Sequence, residues 1–111
     1  MQFTAFLNEI RKFELQYSVE TQQRQFSAWS NFLIVPVPGY IESCLGPISA
    51  ENIQYIHIFV IQQQSRGIRQ LSQFINQQHV LEEILQKYSI PYIQSQAYVL
   101  SIDLQKIEQL E

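Results

Sequence analysis

The chain has 111 residues, the length of one ordinary domain, and its 46% apolar and 15% charged residues indicate a globular protein rather than a disordered one. Its formal net charge of −3 argues against nucleic-acid or anionic-membrane binding, which needs a clustered basic footprint. The eighteen glutamines outnumber the seven basic and ten acidic residues together, so this glutamine-rich chain has few ionisable groups for catalysis.

Cysteine use and hydropathy indicate the compartment. Cys44 is the single cysteine, which excludes an internal disulfide and fits a reducing environment; its neighbours predict an inert thiol. The first residues have no basic stretch before an apolar one, so they do not resemble a secretory signal. The longest apolar runs are about four residues, against the roughly 20 that a membrane span needs. We expect a cytoplasmic protein.

The first third of the chain predicts a helix followed by short strands. An apolar stripe at three- and four-residue steps predicts an amphipathic helix, and it comprises Phe3, Phe6, Leu7, Ile10, Phe13 and Tyr17. Residues 18–30 are ambiguous, with a strand or loop near 17–20 and a turn or short helix around Phe26–Trp29. Two strands, Asn31–Val37 and Tyr40–Leu45, come next, and Gly46, Pro47 and Ser49 predict a turn.

The strongest predicted strand is Ile53–Ile61. One face would carry Tyr55, His57 and Phe59, and the other face would carry Ile56 and Ile58. Both faces are mostly apolar, which is typical of a strand inside a sheet that is covered on both sides. The alternative is cover on one side and pairing into an oligomer on the other.

The last half of the chain predicts a long or paired helix, a hairpin and a short helix. A helical period extends from Ser65 to Tyr88, with a kink or break at Asn76–His79. Pro91–Asp103 predicts one strand or a tight hairpin, and Asp103 would cap a terminal helix, Leu104–Leu110. The order predicts a single α+β domain over residues 1–111. It would be a two-layer sandwich with a mainly antiparallel sheet of about four to five strands and helices on one face.

His57 is the most suggestive side chain, because an imidazole between aromatic neighbours in mid-strand is suited to acid–base chemistry. No Asp or Glu has a sequence spacing from His57 that would indicate a partner able to orient the ring. The simpler interpretation is a buried histidine that is hydrogen-bonded to a neighbour. His57 is therefore only a weak catalytic candidate.

A metal site is not predicted. His79, Glu82 and Glu83 have a spacing that places ligands on one helix face, but a site needs three or four ligands, and Cys44 and His57 would have to complete it. A solvated helix face is the simpler interpretation. No cofactor motif occurs, and no nucleophile, phosphate-loop or dinucleotide motif occurs either.

Two functional hypotheses follow. Because the chain has few residues suited to catalysis, the first hypothesis is a protein that is not an enzyme. It would be a small acidic interaction protein that binds and occludes a partner, as immunity proteins, antitoxins and phage counter-defence inhibitors do. Trp and Tyr often anchor interfaces, and carboxylates would steer a basic partner. The predicted partner-binding residues are Trp29, Tyr40, Glu42, Glu51, Glu82 and Glu83.

The alternative is a small dimeric, cofactor-free α+β enzyme or ligand-binding protein. Its aromatic pocket would lie around His57, with Tyr55 and Tyr98 as further polar groups. Under either hypothesis, a homodimer would bury the second apolar face of the central strand.

Overall fold

The computed structural model describes residues 2–30, 33–37, 40–43, 46–64 and 73–106. Short 3-10 helices occupy Arg11–Phe13, Ala50–Asn52 and Leu104–Lys106. The other elements in chain order are α1 (Gln2–Ile10), β1 (Gln16–Thr21), β2 (Ile34–Val37), β3 (Tyr40–Ser43), β4 (Gly46–Ser49), β5 (Ile53–Phe59), β6 (Ile61–Gln64), β7 (Gln73–Asn76), α2 (Gln78–Lys87), β8 (Ile93–Gln96) and β9 (Val99–Asp103).

The main sheet has four strands in the order β1-β5-β9-β8, and every pairing in it is antiparallel. Two smaller antiparallel sheets accompany it, β2-β3-β4 and the pair β6-β7. The predicted α+β class is therefore confirmed. The predicted central strand is also confirmed, because β5 lies between β1 and β9.

The inner face of the main sheet forms the core with the two helices. Ile56 and Ile58 of β5 are completely buried there. The register places the buried Val19 and Tyr17 of β1 beside them on one side and Ile102 and Leu100 of β9 on the other. The helices contribute Phe3, Phe6, Leu7 and Ile10 from α1 and Leu81, Ile84 and Leu85 from α2. Each such side chain stabilises the fold by roughly 1.5–3 kcal/mol relative to exposure.

The outer face of the sheet is only partly covered. Tyr55, His57 and Phe59 of β5 are half-buried there. Residues 25–30 run along the free edge of β1, where the Ser27 amide donates to the Val19 carbonyl at 2.9 Å and the Ser30 amide donates to the Tyr17 carbonyl at 3.0 Å. This edge segment, residues 25–30, covers the free edge of β1. It also places the aromatic side chains of Phe26 and Trp29 over the outer face of the sheet.

Two predictions for the first third of the chain are wrong. The helical stripe does not reach Tyr17, because α1 ends at Ile10, a 3-10 turn follows, and Glu14 at φ 51° turns the chain into β1. Tyr17 instead pairs with Ile58. No helix forms around Phe26–Trp29, because hydrogen bonds to the edge of β1 hold this segment extended. The strand near 17–20 is confirmed.

Pairing between strands also overturns two local patterns. The predicted turn at Gly46 and Ser49 is strand β4, which pairs with β3. Phe74 and Ile75 were predicted to be helical, but they lie in β7 and pair with Gln63 and Gln62 of β6. Helical spacing in the sequence did not decide the structure there, because a neighbouring strand offered backbone partners.

Three other C-terminal predictions agree with the structure, namely the start of the second helix, the hairpin and the Asp103 cap. Helix α2 begins at Gln78, within the predicted break, and β8 and β9 form the predicted hairpin. The Asp103 carboxylate accepts the Gln105 amide at 3.0 Å, as expected of a cap. Parts of four predicted elements lie outside the described residues, namely 31–32, 44–45, 65–72 and 107–110.

Candidate functional site

Four polar side chains meet on the outer face of the main sheet, one from each strand. They are Glu20 of β1, His57 of β5, Ser101 of β9 and Ser95 of β8. The register brings them together, because His57 stands directly opposite Ser101 on one side and opposite Ser18, two residues from Glu20, on the other. Directly opposite and diagonal residues of neighbouring strands share a face and lie within side-chain reach.

Short hydrogen bonds link these groups into a continuous chain. Glu20 Oε1 lies 2.9 Å from His57 Nε2, and His57 Nδ1 lies 2.6 Å from Ser101 Oγ. Ser101 Oγ in turn lies 2.7 Å from Ser95 Oγ. Ser101 is 1% exposed, whereas Ser95 is exposed, so the buried Ser101 hydroxyl connects His57 to a serine at the surface.

Aromatic rings enclose the imidazole. Tyr55 stacks on His57 at a centroid distance of 5.7 Å, and Phe26 stacks on it at 6.4 Å. Trp29 contacts Phe59 edge to face at 6.0 Å. Phe26 and Trp29 nevertheless remain 59% and 44% exposed. The two side chains therefore form the outer wall of the site and are open to a ligand or partner.

Ser27 fixes the edge segment that carries both rings. Its hydroxyl accepts the Val19 amide at 2.8 Å and donates to the Ala28 carbonyl at 3.1 Å. Its carbonyl accepts the Ser18 hydroxyl at 2.9 Å. Because the Ser27 side chain replaces a backbone partner for Val19, the segment follows β1 without forming a regular strand.

Two adjacent grooves lie on this face. One has a volume of about 430 Å³ and is lined by Glu20, His57, Ser95, Gln96 and the rings of Phe26 and Trp29. The other has a volume of about 450 Å³, and Glu14, Trp29, Phe59 and Phe74 are among its lining residues. Trp29 lines both grooves, and no lysine or arginine is among the described residues that line them.

The residues predicted to bind a partner lie on four separate parts of the chain. Trp29 is in the edge segment and is the member of the set that lines the grooves. Tyr40 and Glu42 are in β3, and Glu51 is exposed in the 3-10 helix that precedes β5. The remaining two residues, Glu82 and Glu83, are in α2.

The α2 carboxylates have partners within the molecule. Glu82 accepts the Tyr92 hydroxyl at 2.9 Å, and Glu83 lies 3.0 Å from the exposed His79. Among the residues that the structure describes, no three His, Cys, Asp or Glu side chains are grouped so that they could hold a metal ion. Cys44 lies outside those residues.

The sequence interpretation missed Glu20, Ser95 and Ser101. The missing carboxylate partner of His57 is Glu20, 37 residues away in sequence. Alternating polar residues in strands, such as Ser18 and Glu20 or Ser101 and Asp103, were the available signal. Only the strand register connects them to His57, and one sequence does not reveal that register.

No protein-family model matches the chain, and neither a curated protein nor a solved structure matches it. Within the described ranges, no helix has the length and apolar character needed to cross a membrane. What defines the molecule is therefore an antiparallel α+β fold with an aromatic-walled polar site on the open face of its sheet.

Proposed function

We propose that this protein is a small interaction module that binds another protein through the outer face of its sheet and occludes a surface of that partner. The observation that carries the proposal is the exposure of Phe26, Trp29 and Phe74 beside the two grooves. Exposed apolar patches of this kind mark interaction sites in soluble proteins, and Trp is among the residues that most often dominate binding energy.

The aromatic wall is already ordered before any partner binds. Hydrogen bonds through Ser27 fix the backbone between the two rings, and ring contacts hold Phe26 against His57 and Trp29 against Phe59. Binding would therefore cost little additional side-chain entropy, which is the main advantage of a rigid aromatic anchor.

The charge of the grooves favours a basic partner. Glu14 lines one groove and Glu20 the other, and the net charge of the chain is −3. An arginine or lysine of the partner could stack on Trp29 and reach a carboxylate. A basic, nuclease-like target fits this chemistry. The proposal is thus an immunity-, antitoxin- or counter-defence-type inhibitor that acts in the cytoplasm.

Photo-crosslinking in the native host tests the proposal. A photoreactive amino acid at position 29 should capture one specific protein, because Trp29 lies between the grooves. The same amino acid at position 80 is the matched control, since Val80 is an exposed apolar residue of α2, away from the outer face. Equal capture from both positions, or none from position 29, contradicts the proposal.

Affinity measurements with the captured partner extend the test. Trp29→Ala should weaken binding by about 30-fold or more, as a hot-spot residue does, and Val80→Ala should change it little. Glu→Gln changes at Glu42, Glu51, Glu82 and Glu83 should slow association a few-fold at low salt if these residues steer a basic partner. The purified protein should also inhibit the activity of the partner.

A second candidate function is the cofactor-free enzyme or ligand-binding protein with its pocket around His57. The observation that favours it is the hydrogen-bonded chain from Glu20 through His57 and Ser101 to Ser95. His57→Gln separates the two candidates. An enzyme would lose turnover, whereas an inhibitor would keep its partner and lose only some stability.

A further inference from the structure

The hydrogen bonds around His57 have only one possible direction when the ring is neutral. The Glu20 carboxylate can only accept, so His57 Nε2 must carry the proton at the 2.9 Å contact. Nδ1 of a neutral ring is then an acceptor, and the Ser101 hydroxyl must donate to it at 2.6 Å.

The same logic fixes the role of Ser95. Ser101 has a single hydroxyl proton, and His57 already receives it. Ser101 Oγ can therefore only accept from Ser95 at their 2.7 Å contact. The Ser95 proton points into the protein, and the lone pairs of Ser95 Oγ face away from this bond. Ser95 is exposed and lines the 430 Å³ groove.

We propose that Ser95 is a nucleophile that accepts acyl groups from activated esters bound in this groove. This activity does not depend on partner binding; it rests on the second candidate function and gives that candidate a specific reaction. Activation of a serine requires a base that takes its proton and a group that orients the base. Here His57 is the base, acting through Ser101, and Glu20 orients the ring. Ser95 is the catalytic residue, and the other three are positioning residues.

The proposed step balances without any additional reagent. Ser95 Oγ forms a bond to the ester carbonyl carbon as its proton moves to Ser101 Oγ and the Ser101 proton moves to His57 Nδ1. The resulting imidazolium is stabilised by the Glu20 carboxylate. Collapse of the tetrahedral intermediate breaks the bond to the leaving alkoxide or phenoxide and leaves acyl-Ser95. Acylated Ser95 no longer passes a proton, so the imidazolium proton of His57 is lost to water, and the leaving alkoxide or phenoxide takes its proton from water, which completes the step.

The groove indicates the class of acyl donor. Phe26 and Trp29 form apolar walls, which favour a flat aromatic or apolar acyl group. Glu20 is the acidic residue among the described lining groups and disfavours anionic donors. We therefore infer an uncharged aryl or alkyl ester as the substrate class, with p-nitrophenyl benzoate as a suitable probe.

Acylation measured by mass spectrometry tests the inference. The purified protein is incubated with p-nitrophenyl benzoate or with a fluorophosphonate, and the modified residue is located in peptides. Ser95 should be modified at least about 100-fold faster than an ordinary serine, the typical gain from general base catalysis. Ser89 is the internal reference, since it is exposed on the turn after α2 and lies only six residues away.

The relay is tested by variants with a rescue. Ser101→Ala and His57→Gln should lower the Ser95 rate to that of Ser89, and Ser101→Thr, which retains the hydroxyl, should restore much of it. Near-ultraviolet circular dichroism verifies that each variant keeps its packing. Rescue by threonine is a readout that loss of stability alone would not produce.

Two results would overturn the inference. One is modification of Ser95 no faster than that of Ser89 in the wild-type protein. The other is a Ser95 rate that does not change in Ser101→Ala and His57→Gln. Partner binding is measured separately, by crosslinking from position 29 in a protein that keeps Ser95, Ser101 and His57, so that acylation and partner capture are read independently. Either proposal can therefore fail without the other.

Discussion

Tyr17 is a buried ionisable side chain in the core layer, and its titration depends on that position. Burial raises the pKa of Tyr17 to about 12, and the nearby positive charge of Arg11 opposes the increase only in part. An unfolded tyrosine ionises near 10. The folded protein therefore holds the proton of Tyr17 through a pH range in which the unfolded chain releases it.

The first prediction follows from this difference. The contribution of the neutral Tyr17 side chain to the free energy of unfolding is fully present below pH 10. It is lost as the pH rises towards 12, because only the unfolded state ionises in that interval. The loss should be on the order of 2 kcal/mol. Urea unfolding between pH 9 and about 12 measures it. Tyr17→Phe should flatten this part of the curve, and an equally steep curve in the variant would contradict the prediction.

A second prediction at the scale of single residues concerns Ser27. Ser27→Ala removes the acceptor of the buried Val19 amide, and it should cost about 1–3 kcal/mol. Trp29 is the single tryptophan, so its emission should shift to the red as the edge segment loosens. Gln23→Ala, in the exposed turn before that segment, is the control. Unchanged stability together with unchanged emission would show that Ser27 does not hold the segment.

At the scale of elements, strand β8 is an edge strand of the main sheet. Among the residues that the structure describes, it pairs with β9 alone, and all four of its residues are exposed. Its sequence, Ile-Gln-Ser-Gln, contains none of the charged residues that natural edge strands use to prevent pairing. The other edge of the sheet is covered by the edge segment.

The third prediction is that two copies join through β8. Identical antiparallel strands can pair about a two-fold axis, and such a dimer would extend the sheet to both molecules. Light scattering should give a dimer mass for the wild-type protein. Ile93→Lys should give monomers, because a charged side chain on an edge strand discourages pairing with another strand. Val80→Lys on α2 is the control, and a wild-type monomer at high concentration would rule out the dimer.

Elements with strong local patterns could be predicted, and elements defined by pairing could not. The Ile-x-Ile pattern of β5 and the apolar stripe of α2 are properties of consecutive residues, and both elements are confirmed. Strand β7 and the edge segment have no such pattern. The residues of β7 pair with residues 9 to 15 positions earlier in the sequence, and Ser27 of the edge segment bonds to Ser18, nine positions earlier. Glu20 was missed as the partner of His57 for the same reason.

At the scale of the whole molecule, one contact joins the first helix to the end of the second. Glu9 Oε1 in α1 accepts Lys87 Nζ and the Tyr88 hydroxyl, each at 2.9 Å, across 78 and 79 residues of sequence. The hydrogen bonds from Lys87 and Tyr88 lower the pKa of Glu9 below its ordinary 4.5. The bond to Glu9 raises the pKa of Lys87 and of Tyr88.

These directions define a pH window for the contact. Glu9 contributes stability above pH 4.5, and this contribution is lost as the pH falls through its lower folded pKa. Lys87 and Tyr88 contribute below their ordinary values of 10.5 and 10.0, and their contribution is lost as the pH rises through their higher folded values. The contact should therefore stabilise the fold at neutral pH and lose its effect at both extremes.

The fourth prediction tests this window with Glu9→Gln. The variant should unfold at a lower urea concentration than the wild type at pH 7, and the two midpoints should converge as the pH falls below 4.5. The difference should be modest and should shrink in salt, because the Lys87 ammonium is exposed. Glu83→Gln is the matched control, since its partner His79 lies in the same helix and ties no distant elements together. A difference for Glu9→Gln that stays constant from pH 3 to pH 7 would mean that packing, and not the charge of Glu9, joins the two helices.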